Sequence, residues 1–122
     1  MGGNNMRVAI PVKTDGENPI VSPLFGKAKW FAFVEDGKIS VEKNEAKGGI
    51  RVVDWLLEKD LDALIVQHMG DSPYTYLKEA SEIAVFFAGE ERISVEEVMQ
   101  KFDDETLTII DDTNSDIYIR QH

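Results

Sequence analysis

The chain predicts a mixed α/β domain: one sheet of about five strands with helices packed on it, followed by a C-terminal extension. Two patterns carry this. Short β-branched and aromatic runs joined by tight-turn residues fill the first third, and after residue 48 helical and strand periodicities alternate. Size agrees, since 122 residues, 43% hydrophobic and 30% charged, suffice for one domain with a continuous core.

Arg7-Val8-Ala9-Ile10-Pro11-Val12 is short, β-branched and stopped by Pro11, and reads as a first strand with a buried centre. Residues 13–19 read as loop. Trp30 to Glu35 is apolar on both alternating faces, which suits a central strand covered on both sides. Asp36-Gly37 supplies the positive φ angles of a tight hairpin, and Lys38 to Lys43 then alternates as a half-exposed edge strand does. After Gly48-Gly49 the apolar residues Ile50, Val53, Leu56 and Leu57 recur at helical spacing, carrying a helix to about Lys59. Leu61 to Val66 reads as a buried strand and residues 67–71 as a turn. Ser72-Pro73 offers a capping residue and a first-turn proline for a helix to about Ala80.

Ile83 to Phe87 is the next strand, expected to run parallel to the one at 61–66. Ser94 and Glu97 form a capping box for a helix to about Lys101, with Val95, Val98, Met99 and Phe102 along one face. Thr106 to Ile110 and Ile117 to Arg120 flank a polar run, suggesting an extra hairpin or edge strand, with a flexible tail as the alternative.

Composition narrows the function classes. No apolar run approaches the ~20 residues that span a bilayer, and no signal peptide is evident, so a soluble cytoplasmic protein is expected, without a membrane partner. Met1 to Asn5 reads as an addition ahead of a natural start at Met6. The absence of cysteine removes disulfides, thiol catalysis and thiolate metal sites. A net charge of −10 repels phosphate backbones, so nucleic acid is not an expected partner. The charge is uneven: residues 1–59 carry nine Lys or Arg against eight acids, residues 60–122 four against fifteen. A small anion can therefore still find a favourable patch by Lys13, Lys27, Lys29 or Arg51.

The stretch from Ile20 to Trp30 is the expected working surface. Pro23 fixes its own φ and biases Ser22 toward extended backbone, while Gly26 opens geometry closed to other residues. The plainer reading is a loop whose Phe25 plugs the core. In an α/β sheet, ligands settle beyond the carboxyl ends of the strands, which would gather residues 13–26, 67–72 and 88–91. Gly48-Gly49 at a helix start can present free N–H groups to an anion, although the spacing matches neither phosphate-loop nor dinucleotide motifs. His68 is the one evident metal or proton-transfer candidate, with Met69 and Asp71 beside it, but no second histidine stands at ligand spacing and His122 is terminal. No nucleophile elbow, thiol or distinct carboxylate pair is present, and Glu90-Glu91, Asp103-Asp104 and Asp111-Asp112 read as solvated charge. The chain is expected not to be an enzyme.

Val8-Ala9-Ile10-Pro11-Val12, then Ser22-Pro23-Leu24-Phe25-Gly26-Lys27-Ala28, Gly48-Gly49, Asp62-Ala63-Leu64-Ile65 and Gly70, in that order, resemble the dinitrogenase iron-molybdenum cofactor biosynthesis domain family. The resemblance spans about Met6 to Phe102, leaving residues 103–122 as a hairpin or flexible tail. It implies a ribonuclease-H-like fold without nuclease chemistry, serving as a carrier or accessory module for an iron-sulfur or iron-molybdenum type cluster or a similar small anion. Protein partners in metallocluster assembly go with that role. Ligand contacts would fall on Ser22, Pro23, Phe25, Gly26, Gly48, Gly49, Gly70 and Ser72, with His68 as the metal candidate. The family's loop histidine is Leu24 here, and leucine neither ligates metal nor donates a hydrogen bond. The competing expectation is a protein-interaction module that has lost metallocluster binding.

Overall fold

The computed structural model describes residues 6–120; Met1 to Asn5 and His122, both singled out above, lie outside them. A six-stranded sheet has the order β3-β2-β1-β4-β6-β7, formed by β1 (Val8–Val12), β2 (Trp30–Glu35), β3 (Lys38–Lys43), β4 (Ala63–Val66), β6 (Ala84–Phe87) and β7 (Thr108–Ile110). A two-residue strand β5 (Met69–Gly70) pairs in parallel with β8 (Ile119–Arg120). The helices are α1 (Gly49–Leu57), α2 (Asp71–Ala80), α3 (Val95–Asp103) and the single turn α4 (Ser115–Tyr118). No helix among the described residues is long and apolar enough to cross a membrane.

The meander forms as the sequence predicts. Asp36 and Gly37 both take positive φ, 54° and 74°, and the hairpin they close pairs Glu35 with Lys38 through to Trp30 with Lys43. β1 is wholly buried between antiparallel β2 and parallel β4, and β4 runs parallel to β6. Alternation sorts the strand side chains onto two faces. Ala9, Phe31, Phe33, Leu64 and Val85 meet α1 and α2 on one; Val8, Ile10, Ala32, Ala63 and Ile65 meet α3 on the other.

Thr108–Ile110 joins the free edge of β6 in antiparallel register as the expected edge strand, bringing the sheet to six. Other expectations are corrected. Ile119–Arg120 does not form a hairpin with β7 but crosses to β5, where Ile119 and Tyr118 join the α1–α2 core. β4 begins at Ala63 rather than Leu61, since the Asp62 carboxylate instead accepts the Arg7 N–H at 2.8 Å. Ser72 does not cap α2: the helix starts at Asp71 straight out of β5, with Gly70 in extended backbone as N-cap and no side-chain cap. The capping box of α3 is present, with Glu97 N–H donating to Ser94 Oγ at 3.2 Å and Ser94 N–H to the Glu97 carboxylate at 3.3 Å.

Candidate functional site

Pro11 shapes the site. It has no N–H to give, and the parallel ladder between β1 and β4 registers only Val8 with Ala63 and Ala9 with Leu64. Past that point the strands are open to a third segment, and residues 20–25 fill the gap. Ser22 N–H donates to the Pro11 carbonyl at 2.7 Å, Phe25 N–H donates to the His68 carbonyl at 3.1 Å, and Leu24 bridges His68 in parallel fashion. On the other side, Val21 N–H donates to the Ile93 carbonyl and Ile20 bridges Ser94. The loops at 13–26, at 67–72 and ahead of α3 therefore do meet, at the point where the sheet changes from antiparallel to parallel pairing.

Within this junction the side chains divide. Phe25 is 2% exposed and its ring stands edge-on to Phe31 at 5.7 Å, so the aromatic group is core and only its backbone faces the junction. Ser22 is buried, in a local turn with Leu24, whereas Pro23 and Leu24 are exposed, Leu24 at 44%. Gly70 caps α2 and Ser72 lies exposed in its first turn.

Gly26 connects this loop to the start of α1. A methyl group on Gly26 would sit 3.3 Å from Gly49 N, and one on Gly49 would sit 2.7 Å from the Pro73 ring. The loop and α1 thus pack backbone to backbone, while α1 packs on the Pro73 ring of α2. Residue type and position mark Gly26, Gly48 and Gly49 in the sequence, but the role of Pro73 as the surface under Gly49 leaves no signal there, because it depends on how two helices cross. Tyr76 on α2 donates to the Asp54 carboxylate on α1, a bond that together with desolvation and the nearby charge holds its phenol above the ordinary tyrosine range.

The start of α1 is electrostatically distinctive. Gly48 precedes it at φ 92° and no side chain caps it, so among the described residues the first-turn N–H groups at the positive end of the helix dipole have no side-chain partner. Asn44 fixes the approach: its side-chain amide donates to the Ala28 carbonyl at 2.9 Å, its own N–H to Lys29, and its side-chain oxygen accepts from Ala46 N–H. Residues 26–29 and 43–48 then enclose a groove of about 510 Å³ carrying Lys27, Lys29, Lys43 and Lys47 against Glu45 alone. Lys43 and Lys47 were not anticipated, since their placement depends on this turn. By contrast, Asp71 already brings a carboxylate to the start of α2. Lys13 and Arg51 are not among the groove residues.

A metal or cluster held by ligation does not fit these residues. The chain lacks cysteine, no group of three or more His, Asp or Glu side chains converges among the described residues, and the neighbour of His68 across the bridge is Leu24. Open N–H groups and ammonium groups instead suit an anion.

The sequence profile described as dinitrogenase iron-molybdenum cofactor matches residues 6–105. Among solved structures, an NMR structure from Thermotoga, assigned provisionally as a NifB protein, is 30% identical, with a TM-score of 0.69 over 84% of this chain and 90% of that one. The apo orange protein of Desulfovibrio gigas is 21% identical, with a TM-score of 0.73 over 89% and 96%. A Methanocaldococcus jannaschii protein provisionally called a dinitrogenase is 20% identical, with a TM-score of 0.66 over 88% and 97%. No curated protein matches. Motif order, junction geometry and a profile match across most of its length agree: the chain belongs to the dinitrogenase iron-molybdenum cofactor family.

Proposed function

We propose that the chain is a small non-enzymatic carrier or accessory module that receives an iron-sulfur or iron-molybdenum type cofactor, or a similar small anion, at the junction of Ser22–Gly26, Gly48–Gly49 and His68–Ser72. The cargo is engaged as an intact anion by α1 N–H groups and lysine charge rather than by side-chain ligation. The observation that carries this reading is the uncapped start of α1 beneath Gly26, bordered by Lys27 and Lys47. Membership of the family supports it, and protein partners in cofactor assembly in a cytoplasmic setting go with it.

Anaerobic reconstitution of the purified protein with iron, sulfide and molybdate, read by visible absorption and metal content, is the test. The wild type is expected to retain colour and metal through desalting. Lys27→Glu with Lys47→Glu should lower retention at least about tenfold, because two groove charges then repel the anion instead of attracting it. His68→Ala should stay within about twofold of wild type, because no ligand set depends on it. A colourless, metal-free wild type would instead favour the second reading, an interaction module without cluster binding, to which the exposed Leu24 in the family's histidine position points.

A further inference from the structure

The second face of the sheet carries a different surface. Among the described residues α3 is the one helix packed on it, beside the loop residues Val21, Ala88 and Ile93, and a groove of about 960 Å³ remains between α3, the β2–β3 hairpin and β6–β7. Its floor is apolar: Val34 and Ile39 from the hairpin, Met99 and Phe102 from α3, and Leu107 and Ile109 from the last strand region. Ile109 is 46% exposed and Met6, also at the groove, is 39% exposed, so the apolar floor reaches solvent as a contiguous patch. Its rim is acidic. Asp36, Glu96, Asp103 and Glu105 line it, no Lys or Arg does, and none of these four carboxylates enters a salt bridge among the described residues.

We propose that this groove docks a basic amphipathic helix of a partner protein. An apolar floor takes the apolar stripe of such a helix, and four unpaired carboxylates match Lys or Arg flanking the stripe. The volume suits it: two turns of α-helix, about 11 Å long and about 10 Å across, occupy roughly 850 Å³. Met99 and Met6 give the floor adaptable side chains. An anionic lipid surface is excluded by the same carboxylates, and a second copy meeting face to face would bring another acidic rim against this one. The proposal does not depend on the anion site, which lies at the start of α1 on the opposite face of the sheet.

The test titrates the full chain with a fluorescently labelled 14-residue helical peptide of leucine and lysine, its leucines at i, i+3, i+4 and i+7, read by anisotropy and by amide shifts. A control peptide has the same composition with the stripe scrambled. The striped peptide is expected to bind at least about tenfold more tightly than the control, with shifts at Ile39, Met99 and Ile109. Ile109→Asp, at an exposed position that tolerates the change, should weaken binding about tenfold, as should Glu96→Lys with Asp103→Lys and Glu105→Lys. Reversing three exposed acids at or beside α1 and α2, Glu58, Glu79 and Glu82, should change it less than about twofold. Equal binding of the scrambled peptide, equal loss from the remote reversals, shifts away from the groove, no binding, or self-association through this face would each overturn the proposal.

Discussion

Gly49 is the residue on which the junction turns. A methyl group there meets the Pro73 ring at 2.7 Å, and a proline ring anchored in the first turn of α2 cannot swing aside as a long side chain would. Gly49→Ala should therefore destabilise the fold by about 1–3 kcal/mol, measured by chemical denaturation. Gly16→Ala, whose new methyl would meet only Thr14 Oγ1 at 3.9 Å, should change stability by less than about 0.5 kcal/mol. At this scale the sequence was partly legible. Gly26, Gly48 and Gly49 stood out by position, and Asp36-Gly37 announced its turn through required backbone angles. That Phe25 points inward and Pro73 lies under Gly49 follows from tertiary packing, which leaves no local pattern.

Among elements, α3 was the most readable because its start is encoded twice, in the reciprocal Ser94–Glu97 bonds and in the apolar stripe behind them. Ser94 also bridges Ile20, so it ties the helix to the working loop. Ser94→Ala should cost about 1 kcal/mol in denaturation, with faster amide exchange spreading to Val21. The C-terminal segment was the least readable: β7 has three residues and β8 two, too few to show a period, and their partners lie far away in sequence. The turn between them depends on Asp111, whose carboxylate accepts Thr113 Oγ1 at 2.6 Å and Thr113 N–H at 2.9 Å. The Thr113 hydroxyl bond first, then the backbone bond, holds Asp111 below the ordinary aspartate value. A carboxyl lowered by folding stabilises above its unfolded pKa, near 4, and loses that contribution as pH falls through its folded value. Protection of the Thr113 to Tyr118 amides, relative to their intrinsic exchange rates, should thus fall below about pH 4 in wild type, whereas Asp111→Asn should show no such step.

For the molecule as a whole, one sheet separates two surfaces of opposite character. The loop junction and its lysines sit where β1 and β4 part and α1 begins, while the acidic, partly apolar groove lies under α3. The charge asymmetry between the two halves of the chain foreshadowed this division, since the lysine groove draws on residues 26–48 and most of the acidic rim on residues 96–105. Alternation along β1, β2 and β4 fixed which residues share a face. The gap that Pro11 opens for residues 20–25 was not legible, because it concerns a strand's neighbour rather than the strand itself.

The central claim is that the start of α1, beneath Gly26, receives an anion through backbone N–H groups and lysine charge. Its most direct test is an amide-resolved NMR titration with molybdate at low ionic strength. Saturable shifts centred on Gly26, Gly48, Gly49 and Ile50 are expected, weakened at least about tenfold in affinity by Lys27→Glu with Lys47→Glu and preserved in His68→Ala. Shifts that leave Gly48 to Ile50 unmoved, or that never saturate, would contradict it.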